Sequence, residues 1–94
     1  MAVQAISKEA LKVIPFASED VLTNEVDKKM RRWKLERAMK LGNLYKHPVQ
    51  ITFTNKMGER MKTTATIWAV TEEYVVVKGG NAIPVRSIYE VEEC

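Results

Sequence analysis

The feature that most constrains this chain is a change of hydrophobic period at residues 44–48. Before that point, residues 25–41 read as a capped helix: Asn24 is a favourable N-cap, and Gly42 offers a glycine stop. After it, apolar and polar residues alternate over 49–54, which predicts a half-buried strand. The chain therefore has to combine one helix with the strands that follow it.

Five short antiparallel strands are predicted after the helix. Turn-forming residues at 55–58, 71–73 and 79–81 separate the strands, and a 3₁₀ turn at 87–88 precedes the last one. The glycines of the 79–81 turn are expected at positive φ. The strand at 60–71 is too long to stay flat in so small a sheet, so it should bend strongly. Closing the strands into a small barrel would remove exposed sheet edges.

The length of 94 residues indicates one small domain, and the residue composition is that of a globular protein. Residues 1–22 are weakly patterned and are expected to form an arm, with a short helix at 7–14 capped by Ser7. Residues 23–94 hold the helix and the barrel. No apolar run approaches the roughly 18 residues of a membrane span, and no signal-peptide pattern is present. The lone cysteine, Cys94, agrees with a reducing compartment, so a cytoplasmic protein without membrane contact is expected.

Positive charge is concentrated on the helix. Residues 28–46 contain eight basic residues and one acid, Glu36, while the segments before and after sum to −3 and −1. Such a block is typical of proteins that meet a polyanion, most often nucleic acid. A solvated helix face, or docking to an acidic protein, produces the same pattern. The candidate phosphate contacts are the following bases: Lys28, Arg31, Arg32, Lys34, Arg37, Lys40 and Lys46.

The apolar residues of the helix divide between two faces. One face carries Val26, Met30 and Trp33, and the roughly opposite one carries Leu35, Ala38 and Met39. Either the helix bends and changes partner midway, or its second face meets another chain. Trp33 itself is expected to dock on the barrel.

The long strand supplies a second candidate surface. If the odd-numbered residues at 61–69 face the core, then Arg60, Lys62 and Trp68 face outward together with two threonines. Bases, hydroxyls and an indole on one face suit a single nucleic-acid strand. A one-residue bulge would reverse this assignment and bury Trp68, and a tryptophan in a small barrel is more often a core residue than an exposed one.

Catalysis finds little support in the sequence. His47 is the single histidine, and no Ser, Cys, Asp or Glu stands at a spacing that suggests a base or an orienting partner. One histidine and one terminal cysteine do not make a zinc site, and Gly79-Gly80 lacks a phosphate-loop frame. We therefore expect no enzyme activity, metal or cofactor.

The run Val77-Lys78-Gly79-Gly80-Asn81-Ala82-Ile83-Pro84-Val85-Arg86-Ser87-Ile88, with Val49-Gln50-Ile51-Thr52-Phe53 and Gly58 before it, resembles the Sm-like fold. Within that fold it is similar to the bacterial RNA chaperone family called Hfq. That resemblance implies RNA contacts at Lys78 and Arg86, and assembly of several copies. Gly58-Glu59-Arg60 and Tyr74-Val75-Val76 also resemble the Rho-binding antitermination regulators, which act on a protein partner.

Together these features favour an α+β, mainly β fold, with an N-terminal helix packed on a five-stranded antiparallel Sm-like or SH3-like small barrel. The leading functional hypothesis is a non-enzymatic nucleic-acid-binding protein, with single-stranded RNA or another polyanion as ligand. The alternatives are an adaptor or regulator whose basic helix docks on an acidic protein, and a structural domain whose helix bases are merely solvated. An oligomer is compatible with each of them.

Overall fold

Helix α1 spans Glu25–Tyr45 in the computed structural model, which describes residues 3–93. The predicted cap is confirmed, because Asn24 Oδ1 accepts a 2.7 Å hydrogen bond from the Val26 N–H. The predicted stop at Gly42 is wrong, since the helix continues to Tyr45. It ends at Lys46, which adopts a left-handed conformation (φ 54°) and donates its N–H to the Gly42 carbonyl at 2.9 Å.

Gly42 has a packing role instead. A Cβ at this position would overlap the carbonyl oxygen of Ile67 and lie 3.1 Å from Cγ2 of Thr66. The missing side chain therefore lets α1 approach the strand backbone closely. The glycine that reads as a helix stop in the sequence is a contact point between helix and sheet.

Seven strands form two sheets within residues 3–93. One sheet has the order β1-β3-β2-β7 and the other the order β4-β5-β6. Strand β1 runs parallel to β3, and the other pairings are antiparallel. The strands are β1 (Gln4–Ala5), β2 (Val49–Thr54), β3 (Arg60–Ala65), β4 (Ile67–Val70), β5 (Tyr74–Val77), β6 (Ala82–Pro84) and β7 (Ile88–Glu93).

The α+β class is confirmed, but the five-strand count is not. The predicted long strand breaks at Thr66 into β3 and β4, which pair in different sheets, and β1 adds a strand from the arm. The strong bend expected over 60–71 thus becomes a transfer from one sheet to the other. The strands form two separate hydrogen-bonded sheets rather than the single closed barrel that was expected. A 3₁₀ helix, Val85–Ser87, precedes β7, one to two residues earlier than predicted.

The expected inward alternation holds as far as Ile67 and then fails. Met61, Thr63, Ala65 and Ile67 are buried, as predicted. A register shift between Ile67 and Ala69 then pairs Ala69 with Val76, while Val70 packs against the core. Trp68 is 48% exposed, so the alternative in which it lies in the core is wrong. The two glycines of the 79–81 turn have φ of 102° and 91°, which confirms their predicted positive φ.

The core lies between α1 and the two sheets. The helix contributes its inner face through Leu35 and Ala38, which are buried. The strands and the arm supply the rest, and the largest fully buried side chains are Phe53, Leu35, Ile51, Ile67, Ile83 and Ile88. Met39 packs against this core from the helix as a half-buried residue. Of the two apolar helix faces, the one with Leu35 therefore folds inward.

The N-terminal arm is docked along its described length. Strand β1 covers the free edge of β3, and a 3₁₀ helix, Lys8–Val13, buries Leu11. The ring of Phe16 lies 5.5 Å from that of Phe53. Ser7 makes no side-chain capping bond, so its expected role is wrong. Cys94, the lone cysteine from which a reducing compartment was expected, lies outside the described residues, as do Met1 and Ala2.

Candidate polyanion-binding site

Arg31 is the one buried base of α1. It is 7% exposed and lies on the inner face of the helix. Its Nη1 and Nη2 donate to the two carboxylate oxygens of Asp20 at 2.9 and 2.8 Å, and Nη1 also donates to the Ile88 carbonyl at 3.0 Å. The guanidinium thus joins the arm, the helix and β7. Arg31 was expected to contact phosphate; this pairing already engages both of its Nη atoms and leaves the residue 7% exposed.

The pKa of Asp20 reflects that pairing. Burial raises the pKa of the carboxyl, while hydrogen bonds from Arg31 and from the Leu22 backbone lower it, helped by the positive charges of Arg31 and Lys28. The lowering effects prevail, so the pKa lies below its ordinary 3.8. Asp20 is therefore ionised at neutral pH and compensates the charge of Arg31.

A cleft of about 510 Å³ opens beside this pair, between α1, the β4–β5 turn and the 3₁₀ helix before β7. Cationic side chains from two distant parts of the sequence line it together with acidic ones. The lining residues are Lys28, Lys29, Arg31, Arg32 and Arg86, with Asp20, Glu72, Glu73 and Val85. Asp20 compensates Arg31, and the ammonium group of Lys28 lies 3.6 Å from the carboxylate of Glu25. The four other cations still outnumber Glu25, Glu72 and Glu73, so the cleft is net positive.

The two arginines of this cleft are held by backbone carbonyls. Arg32 donates to the carbonyls of Thr71 and Glu72 at 2.7 and 3.0 Å. Arg86 donates from Nε to the carbonyl of Ala17 at 2.8 Å. Both residues stay accessible to solvent, since Arg86 is exposed and Arg32 half-buried. The guanidinium groups are thereby oriented before any ligand arrives, which lowers the entropy cost of binding one.

Four of the predicted contacts come together in this cleft: Lys28, Arg32 and Arg86, with Arg31 buried beside them. Lys29 also lines the cleft and was not among the candidate contacts; its place in the block of eight bases was the signal that could have identified it. Lys78 does not join them. It follows β5, whereas Arg86 follows β6 near the opposite end of the hairpin, where Pro84 pairs with Tyr74. Lys78 and Arg86, the RNA-contacting positions that the resemblance implies, therefore lie towards opposite ends of the β5–β6 hairpin.

The outward residues of the predicted long strand do not form one face. Arg60 and Lys62 lie on β3 and Trp68 on β4, and these strands belong to different sheets. Arg60 instead stacks on Tyr89, with its guanidinium carbon 3.9 Å from the ring centroid. Tyr89 was missed because its outward position follows from a register shift in the β2–β7 pairing that the sequence does not mark.

The remaining helix bases lie away from the cleft. Lys40 and Lys46 are exposed, and Lys34 is half-buried. Arg37 forms an ion pair with Glu93 at 3.0 Å, and its guanidinium carbon lies 5.7 Å from the ring centroid of Trp33. These bases do not converge on one ligand together with the cleft residues.

Trp33 is more than half exposed, so its expected docking on the strands is wrong. Val26 and Met30 on the same helix face are exposed as well. Val26, Met30 and Trp33 therefore form an outer face of α1 that the described part of the chain does not cover. This arrangement agrees with the second alternative given for the divided apolar pattern, in which that face meets another chain.

No protein-family model matches the chain, and neither a curated protein nor a solved structure matches it significantly. Among residues 3–93, no three His, Cys, Asp or Glu side chains gather as a metal-binding group. No helix in the described part of the chain is long and apolar enough to cross a membrane.

Proposed function

We propose that the protein is a non-enzymatic nucleic-acid-binding protein that holds single-stranded RNA by its phosphates. The observation that carries the proposal is the convergence of Lys28, Lys29, Arg32 and Arg86 in one cleft. Lysine and arginine bind phosphates by releasing condensed counterions, which requires no base-specific contacts. The backbone-held arginines add bidentate donors for phosphate oxygens.

The resemblance to Sm-like proteins favours RNA over DNA as the ligand. In support, β3 and β4 carry one chain segment through both sheets, and β7 returns to pair with β2 after a 3₁₀ helix. This strand order would suit an Sm-like or SH3-like small β fold. Arg86 belongs to the run from Val77 to Ile88 that resembles the Sm-like fold, and it lines the cleft together with Val85 of the same run. We propose the fold family on this strand order and on the motifs.

Glu72 and Glu73 limit the affinity. Their carboxylates share the cleft with the four cations and repel a polyanion. Binding should therefore be moderate and strongly dependent on salt. Each phosphate contact to a single strand contributes about −0.7 to the slope of log K against log salt. Four contacts give a slope of about −2.8, which corresponds to roughly 50-fold weaker binding for a fourfold rise in salt.

The test is fluorescence anisotropy with a labelled single-stranded RNA at several salt concentrations. Lys28→Ala/Lys29→Ala should flatten the slope by about 1.4, because two phosphate contacts are lost. Lys12→Ala/Lys56→Ala is the matched control, since it removes the same charge from two exposed lysines outside the cleft. This control should leave the slope unchanged.

Equal effects of both variants would show that binding follows net charge and not the cleft. Absence of binding at low salt would overturn the RNA proposal altogether. The alternative function would then remain, in which the same bases dock on an acidic protein surface as an adaptor or regulator.

A further inference from the structure

The exposed face of α1 carries a seam of six residues at heptad spacing. Steps of four and three residues connect them along the helix, on the side away from the buried Arg31, Leu35, Ala38 and Gly42. The seam residues are Val26, Met30, Trp33, Arg37, Lys40 and Leu44. The four apolar members are each more than half exposed. This spacing is the one with which two helices interlock along a shared axis.

We infer that the seam pairs with the seam of a second copy of the chain, with the two helices antiparallel. The six positions are symmetric about residue 35. In the antiparallel register, Val26 faces Leu44 of the second copy, and Met30 faces Lys40. Trp33 faces Arg37, and the same three layers repeat on the other side of the two-fold axis.

Each layer of this pairing is chemically complementary. Val26 and Leu44 bury apolar surface against each other. The aliphatic stem of Lys40 covers Met30 while its ammonium group stays in water. Trp33 meets a guanidinium, and the chain already orients Arg37 for such a contact, because Glu93 holds its Nε and the group lies near a Trp33 ring within one copy.

The charges exclude the parallel arrangement. A parallel pair would set Arg37 against Arg37 and Lys40 against Lys40, which repel each other. In the antiparallel pair the acidic first turn, with Glu25 and Asp27, lies near Lys46, which caps the helix of the second copy, and the helix dipoles oppose. The two copies of Glu36 meet near the axis, and each is offset by Lys40 four residues further along its own helix.

The first experiment measures the mass of the full chain by sedimentation equilibrium, from low micromolar to millimolar concentration. A concentration-dependent dimer is expected. Trp33→Glu should raise its dissociation constant by about 100-fold or more, since a central tryptophan is lost from both copies. Trp68→Glu is the matched control, because it replaces the other exposed tryptophan outside the seam and should leave the dimer intact.

The second experiment tests the register by disulfide formation in a Cys94→Ser background. Val26→Cys/Leu44→Cys should link two chains covalently, because these positions face each other only in the antiparallel pair. Val26→Cys alone should not, since the two copies of residue 26 lie at opposite ends of the seam. Val26 and Leu44 are exposed, so their replacement by cysteine does not change the core. Circular dichroism checks that each variant is folded.

A monomer throughout the concentration range would overturn the inference, and the seam would then belong to a different protein. A dimer that Trp33→Glu leaves unchanged, or a Val26→Cys dimer linked to itself, would overturn it too. None of these outcomes depends on RNA binding, because no seam residue lines the cleft that carries the proposed function. Lys29, which is not a seam residue, lies beside both surfaces.

Discussion

The contact between Arg31 and Asp20 allows the sharpest test of how this fold is held together. The guanidinium is 7% exposed and makes three charge-assisted hydrogen bonds, to both oxygens of Asp20 and to the Ile88 carbonyl. Arg31→Met keeps most of the side-chain volume and removes the charge. It leaves a carboxylate and a carbonyl without their partner. We therefore expect Arg31→Met to lower the free energy of unfolding.

The magnitude follows from the burial of the two partners. Breaking a fully buried pair costs about 3–5 kcal/mol. The Asp20 side chain is 29% exposed, so water recovers part of that loss and the lower end, about 3 kcal/mol, applies. For a domain of this size the melting temperature should fall by roughly 12–24 °C. Thermal and urea unfolding followed by circular dichroism measure both quantities.

A double-mutant cycle with Asp20→Asn separates the pair from general disruption. The effects of the two single variants should not add, with a coupling of about 2 kcal/mol, because each variant already breaks the same contact. A cost under about 1 kcal/mol for Arg31→Met, or additive effects, would refute the reasoning.

The pH dependence supplies an independent check of the same contact. The folded-state pKa of Asp20 is depressed below 3.8, so the folded protein favours the ionised form. The stabilisation is therefore complete above the unfolded-state pKa and disappears as the pH falls through the lower folded-state value. The stability difference between the wild type and Asp20→Asn should accordingly narrow below about pH 4. A difference that stays constant down to pH 2 would contradict the assignment.

Two further substitutions test the packing of the helix and of the arm. Gly42→Ala should lower the free energy of unfolding by about 1–3 kcal/mol, because the new Cβ overlaps the Ile67 carbonyl and pushes α1 from β4; Asn43→Ala, at the exposed neighbouring position, is the control. Phe16→Ala should cost about 2 kcal/mol, less than a fully buried phenylalanine, since the ring is half-buried against Phe53. Urea unfolding measures both, and a Gly42→Ala protein as stable as the wild type would show that the close approach is absent.

Local chemistry was enough to predict some of the elements. Asn24 caps α1, Gly79 and Gly80 turn the chain at positive φ, and the alternation of β2 has the predicted buried and half-exposed faces. These features follow from interactions within a few residues of chain. A short-range signal of this kind is visible in a single sequence.

The candidate site was predictable only in part. The bases were identified by composition, yet whether a base lies inside or outside depends on which helix face meets the strands. Arg31 and Lys28 are three residues apart, and one is buried against Asp20 while the other lines the cleft. Arg86 reaches the same cleft from the far end of the chain, because the 3₁₀ helix and the arm hold it there.

By itself the sequence determined one capped helix, a run of β-strands after it, and a block of positive charge on the helix. The tertiary structure alone decided that the long strand divides between two sheets, that Gly42 touches β4, and which of the two apolar faces of α1 turns inward. The physical reason is that caps, turns and alternation act between neighbouring residues. The orientation of α1 instead minimises a free energy summed over the buried contacts of the arm, the helix and both sheets, and those contacts join residues far apart in the chain.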